Sequence, residues 1–241
     1  MNITEKCRAV EAEMAALFSS KRPFSEHLQK WEDTTLPDKY DHNCFEYSGQ
    51  PTGEEFRLAL EYQKKTGASF IKFEGNAPLE EPFGMESSVT LTMAFLPRET
   101  RWKKNPLLTF RKPTLPELEE IERKHFGAVY GEDFTVRNVR RLYEKLDYHG
   151  AYFGNKLVAA CYSYSFNGIT CLDGLIVDRS CRNQYVATTV IGSVRESHPG
   201  HILVLHADRD DTPKNMYLKM GFEIADSLYE YLRTDLSKLE V

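Results

Sequence analysis

Apolar positions recur along this chain with a period near four in some stretches and near two in others, and each change of period marks a helix or a strand. From Thr4 to Phe18 the residues Val10, Met14, Leu17 and Phe18 sit among charges at helical spacing, which predicts an amphipathic helix. Thr52 followed three positions on by Glu55 forms a capping box that opens a second helix, stopped at Gly67. Strands are predicted over Asn43–Tyr47, Ser69–Phe73 and Ser87–Leu96, and the acid- and Pro-containing stretches Glu32–His42 and Asn76–Phe83 read as loops.

The second half alternates more regularly. It predicts a strand at Leu107–Arg111, helices at Leu115–His125 and Thr135–Leu146, and strands at Ala151–Phe153 and Leu157–Phe166 joined by the hairpin turn Gly154-Asn155. The apolar run Ile169–Val177 continues the sheet, Tyr185–Glu196 is a crossover helix, and Ile202–His206 pairs parallel to its predecessor across that helix. Pro213 opens a short helix to Met220, and Glu223–Arg233 closes the chain as a strand. The fold class is α/β (α+β), built on a mixed sheet. Between the halves Pro97–Asn105, with Arg98, Arg101, Lys103 and Lys104, reads as a solvated linker separating residues 1–106 from 107–241.

Composition narrows the partners. The chain has 241 residues and a net charge of −5, neither half is basic, and nucleic acid is not an expected partner. Cys7, Cys44, Cys161, Cys171 and Cys181 are odd in number and lack a C-x-x-C pair, which argues for reduced thiols rather than disulfides or a zinc ribbon. The N-terminal stretch carries Glu5, Glu11 and Glu13 instead of a basic start and an apolar block, and no apolar run is long enough for a bilayer, so the expected location is the cytoplasm with no membrane partner. His198, His201 and His206 are close in sequence but lack metal-ligand spacing.

The chemistry is concentrated in the last third. A strand that runs into a helix N-terminus, as Ile169–Val177 does through the turn Asp178–Gln184, directs unpaired N–H groups and a positive dipole end at one place, which suits a diphosphate. Neither a G-x-G-x-x-G nor a G-x-x-x-x-G-K-[ST] cradle is present. Val177, Arg182 and Ala187, followed by Tyr217 with Gly221-Phe222, match the acetyl-CoA loop and later helix of the GNAT (Gcn5-related N-acetyltransferase) superfamily, V-x-P-x-x-R/Q-x-x-G-x-G/A, which this region resembles. Arg179 stands where the pattern has Pro, and Tyr185 where it has its first Gly.

That resemblance implies a GNAT-like fold over roughly Leu107–Arg233, with a smaller degenerate GNAT-like or accessory α/β domain before it. It also implies acetyl-CoA as co-substrate. The backbone of Leu175, Ile176 and Val177 would meet the pantetheine arm, and Gly174 in mid-strand would be the bulge that parts two strands to admit it. Arg182, Asn183, Gln184, Tyr185, Val186, Ala187 and Thr188 would hold the diphosphate. Asp173 is the implied base toward the amine and Tyr217 the implied acid toward the leaving thiolate. Asp210 and Pro213 replace an Asn and an Ala of the family pattern, with Lys214 and Asn215 beside them as further cofactor contacts. No Cys or Ser stands out as a nucleophile. The expected activity is therefore direct acetyl transfer to a primary amine of a small molecule or peptide in a ternary complex. A non-catalytic acyl-CoA binder or sensor is the alternative reading. The acceptor and the oligomeric state are not legible.

Overall fold

The computed structural model describes residues 2–80 and 83–236. In chain order its elements are α1 (Ile3–Ala16), β1 (Ser20–Pro23), β2 (Leu28–Glu32), β3 (Phe45–Tyr47), α2 (Gly53–Lys65), β4 (Ile71–Gly75), β5 (Glu86–Phe95) and β6 (Leu108–Arg111). There follow α3 (Leu115–Tyr130), α4 (Glu132–Tyr143), β7 (Asp147–Phe153), β8 (Lys156–Phe166), β9 (Ile169–Val177), α5 (Val186–Ser197), β10 (Ile202–Asp208), α6 (Pro213–Met220) and β11 (Glu223–Arg233). Residues 81 and 82 of the predicted connection Asn76–Phe83 lie outside the described residues. The mixed α/β class read from the sequence holds.

Two compact units emerge. The first gathers the described residues of Met1–Val10, Met93–His206 and Met216–Glu223; the second gathers those of Glu11–Thr92, Ala207–Asn215 and Ile224–Val241.

In the first unit the strands run in the order β10-β9-β8-β7-β6. The β7–β8 hairpin turns at Gly154-Asn155 as expected, β8 pairs antiparallel with β9, and β10 pairs parallel with β9. Helix α5 buries Val186, Val190 and Val194, four residues apart, together with Ile191. On the strands, Val158, Ala160, Cys161 and Leu203 to Leu205 are buried as well, the continuous apolar runs expected of strands covered on both faces.

The second unit holds β1-β2-β3-β4-β11, with β3 and β4 parallel and the other pairs antiparallel. Thr52 and Glu55 form the predicted capping box of α2. Phe45, Phe73, Phe56 and Phe83 stack in series at centroid separations of 5.3, 5.3 and 4.1 Å. One charge lies under this core: Lys72 Nζ meets Asp41 Oδ1 and Glu230 Oε1 at 2.6 Å each and Glu74 Oε2 at 3.2 Å. Burial lowers the pKa of that amine, and the three carboxylates more than reverse the effect.

Strands β1 and β2 are absent from the sequence reading. β1 is exposed throughout and carries no alternation, and β2 buries Lys30, whose ammonium donates to Asn43 O at 2.9 Å and lies 4.6 Å from the Phe45 ring centroid. All five cysteines are buried, and none is in a disulfide among the described residues. Among the described residues no helix is long and apolar enough to cross a membrane.

Candidate functional site

Strand β9 sets the geometry. Tyr162 of β8 faces Asp173 and Ala160 faces Ile176, so Cys161 alone opposes both Gly174 and Leu175. This is the bulge expected at Gly174. Its φ is +62°, and a Cβ there would lie 2.5 Å from Tyr162 Cε1, so glycine is required both by conformation and by space. The inserted residue changes which side chains share a face. Strict alternation places Asp173, Leu175 and Val177 on one face, but past the bulge Asp173 shares its face with Ile176, and Leu175 and Val177 share the other.

The strand also parts from its parallel neighbour. Ile169, Thr170 and Cys171 pair with Ile202, Leu203 and Val204, and the described ladder between β9 and β10 ends there, while β9 stays on β8 as far as Val177. One edge of the second half of β9 is thus without a β10 partner.

Beyond Val177 the chain is held tightly. Asp178 is buried; its Oδ1 accepts from Ser180 N at 3.0 Å and Ser180 Oγ at 2.8 Å, and its Oδ2 from Lys124 at 2.7 Å. The Lys124 ammonium and the Ser180 donors keep this carboxyl far below the usual carboxylate range. Arg182, Asn183 and Gln184 then lie exposed. Tyr185, the residue before α5, adopts the left-handed conformation with φ +58° and ψ 18°, at an intrinsic cost of roughly 1–2 kcal/mol for a residue with a Cβ. The helix makes its first backbone bond from Thr189 N to Tyr185 O at 2.9 Å, leaving the N–H groups of Val186, Ala187 and Thr188 without intrahelical acceptors at the positive end of the dipole. The Tyr185 ring is half-exposed, with Lys103 Nζ 5.5 Å from its centroid.

Residues 97–105, read as a solvated linker, are instead a packed strap in the first unit. Trp102 Nε1 donates to Met220 O at 2.8 Å, Arg98 donates to Gly221 O, and Arg195 donates to the carbonyls of Arg98 and Thr100. Asn105 N donates to Thr189 Oγ1 at 2.8 Å, and Asn105 Nδ2 to Gln184 O at 3.0 Å. Of the cations that suggested solvation, Arg98 is held at a helix-end carbonyl, Lys103 lies over the Tyr185 ring and Lys104 meets Glu196.

Tyr217 is buried in the last turn of α6, 5.9 Å ring to ring from Phe222. Gly221, at φ +90°, ends the helix; Gly221 N bonds Leu218 O at 2.9 Å and Phe222 N bonds Tyr217 O at 3.0 Å. Asp173 has both oxygens engaged, Oδ2 by Tyr162 Oη at 3.1 Å and Oδ1 by Gly174 N at 2.7 Å. Asp210, Lys214 and Asn215 belong to the second unit: Asp210 N bonds Asp208 Oδ1 at 2.7 Å, Lys214 donates to Arg209 O, and Asn215 N bonds Thr212 O at 3.1 Å.

Sequence reasoning passed over His125 and Tyr148. His125 Nδ1 lies 2.8 Å from Ile121 O and its Nε2 3.3 Å from Val177 O. Both partners only accept, so both contacts are bonds only when each ring nitrogen carries a hydrogen. Tyr148, on β7 beside Tyr162, buries its hydroxyl without a hydrogen-bond partner among the described residues, and burial with Glu122 and Asp173 nearby pushes that phenol far above its ordinary value. Neither has a local signature, because the pairing to β9 or β8 arises only on folding.

No family model and no curated protein matches this sequence. Solved structures do match it. A GCN5-related N-acetyltransferase from Kribbella flavida is 14% identical, with 96% of this chain and 95% of that chain covered at a TM-score of 0.65. The fold is that of the GNAT acetyltransferases. A conserved protein of unknown function from Staphylococcus epidermidis superposes at a TM-score of 0.76 with 17% identity, over 90% of this chain and 94% of that one. A tandem GNAT protein from the clavulanic acid biosynthesis pathway is similar over 90% of this chain and 78% of its own, at 12% identity and a TM-score of 0.52. At such identities the likeness is one of backbone, and in those terms the bulged β9, its parting from β10 and the loop leading into α5 are features of this chain's GNAT fold.

Proposed function

We propose that this protein is an acetyl-CoA-dependent N-acetyltransferase that acetylates a primary amine of a small molecule or peptide by direct attack in a ternary complex. The observation that carries the reading is the continuity of three features on one stretch of chain: the bulge at Gly174, the end of the β9–β10 ladder at Cys171, and the unpaired amides of Val186, Ala187 and Thr188 at the start of α5. The groups present suit a diphosphate, since the amides and dipole are joined by the exposed Arg182, Asn183 and Gln184 and the Tyr185 ring lies out against Lys103.

In this reading Arg182 to Thr188 hold the diphosphate and the backbone of Leu175 and Ile176 meets the pantetheine arm. The Val177 carbonyl is already met by His125. Acetyl-CoA supplies a thioester acyl group. Asp173 accepts the proton released by the attacking amine, directly or through water, and the Tyr217 hydroxyl supplies a proton to the departing sulfur. We assign residues 107–241 to the acetyltransferase domain, residues 1–106 to a degenerate GNAT-like or accessory domain, and the protein to the cytoplasm.

A second reading, a non-catalytic acyl-CoA binder, is favoured by one observation: both oxygens of Asp173 already accept hydrogen bonds within the protein. Calorimetry with CoA, followed by thiol release on a panel of amines, separates the two. Binding with turnover on at least one amine supports the enzyme, binding without turnover on any amine supports the binder, and absence of binding overturns both.

A further inference from the structure

We propose that Asn105 is a positioning residue for the loop ahead of α5, holding Tyr185 in the left-handed conformation that a glycine would adopt without help. The proposal rests on the reading of that loop as a coenzyme cradle. It also accounts for the departure of this chain from the family pattern.

The side-chain amide of Asn105 is oriented from both ends. Its Oδ1 accepts from Leu107 N at 3.0 Å and its Nδ2 donates to Gln184 O at 3.0 Å. A backbone N–H requires an acceptor and a carbonyl requires a donor, so only this orientation satisfies both. The Asn105 backbone takes a third hold, donating to Thr189 Oγ1 at 2.8 Å, and that hydroxyl donates to Tyr185 O at 2.6 Å. The carbonyls on both sides of the Tyr185 N–Cα–C unit are therefore fixed: Gln184 O by the Asn105 side chain, and Tyr185 O by Thr189, itself held by the Asn105 backbone.

Left-handed geometry at a tyrosine is unfavourable on its own. If the Gln184 carbonyl is released, Tyr185 can relax toward ordinary backbone angles, which rotates the peptide between Tyr185 and Val186. The N–H of Val186 would then turn away from the spot shared with those of Ala187 and Thr188. A glycine at 185 has no such tendency, so with glycine there the Asn105 side chain becomes dispensable.

The experiment is a double-mutant cycle on the full chain, with coenzyme A as the probe in titration calorimetry. In the Tyr185 background, Asn105→Ala should weaken CoA binding at least tenfold. Asn105→Asp, which keeps an acceptor for Leu107 N but sets an oxygen against Gln184 O, should weaken it at least as much. In the Tyr185→Gly background both changes should cost less than threefold. Equal losses in both backgrounds, or no loss in either, would overturn the proposal.

Amide exchange at Thr189, whose N–H bonds Tyr185 O, gives a readout that needs no ligand. It should accelerate at least fivefold in Asn105→Ala and return to the parent rate when Tyr185→Gly is added. If the parent protein binds no CoA, the functional reading fails with the cofactor half of this proposal, and the exchange measurement alone still decides whether Asn105 holds Tyr185.

Discussion

Tyr162 donates its phenolic hydrogen to Asp173 Oδ2 at 3.1 Å, across β8 and β9 where their register slips. Burial, with the Asp173 carboxylate beside it, pushes the Tyr162 phenol well above its ordinary value, so it stays a donor throughout the range in which an amine would be acylated. The phenol and the Gly174 amide fix the carboxylate in one orientation.

If that carboxylate takes the amine proton, Asp173→Asn should lower turnover about a hundredfold, with the largest loss below the pKa of the acceptor amine. Tyr162→Phe should cost less, because the Gly174 amide still orients the carboxylate. An unaltered profile in Asp173→Asn would remove the residue from the chemistry.

Tyr217→Phe keeps the aromatic packing against Phe222 and removes only the hydroxyl. Steady-state and binding measurements should show kcat reduced about ten- to a hundredfold with CoA affinity unchanged. Full turnover would reassign Tyr217 to packing alone.

The Tyr148 hydroxyl is buried without a hydrogen-bond partner among the described residues. Tyr148→Phe should therefore leave stability unchanged or raise it by about 1 kcal/mol, read from urea midpoints. A loss of more than about 1 kcal/mol would show that the hydroxyl is satisfied in solution.

Gly174→Ala puts a methyl within 2.5 Å of the Tyr162 ring at a φ that alanine resists. Destabilisation of roughly 2–4 kcal/mol is expected from strain and overpacking together. Denaturant unfolding of the full chain measures it, and a change below about 0.5 kcal/mol would mean that the register slip is not obligatory.

Glu55 supplies a test by pH. Burial alone would raise its carboxyl, but donors from Ser25, Thr52 N and His27 bring it down to about 2. A group lowered on folding stabilises the native state above its unfolded value, roughly 4.3, and that contribution drains away as the pH falls toward 2. Glu55→Gln should cost on the order of 1–2 kcal/mol at pH 7, and the gap to the parent protein should narrow steadily below about pH 4.

Where a local rule decides the structure, the sequence is readable. Thr52 with Glu55, Gly154-Asn155, and Gly174 inside an apolar strand each specify a cap, a turn and a bulge through groups a few positions apart. What escapes is set by partners far along the chain. Lys30 spoils the apolar rhythm of β2 because its charge is met by Asn43 O and the Phe45 ring. Likewise residues 97–105 look like a plain linker until Met220, Gly221 and Gln184 appear beside Trp102, Arg98 and Asn105. His125 reaches Val177 from 52 positions away, and no spacing rule spans that distance.

The extra residue in β9 gives the strand two opposite parities, one on each side of position 174. Excising Gly174 would therefore leave the strand's facing as it is: Asp173, Leu175, Ile176 and Val177 would alternate regularly, with Ile176 still on the side of Asp173 and Leu175 and Val177 on the other. What a protein shortened there would lose is the local bend just ahead of the loop, so the glycine contributes curvature while the orientation of its neighbours is conserved.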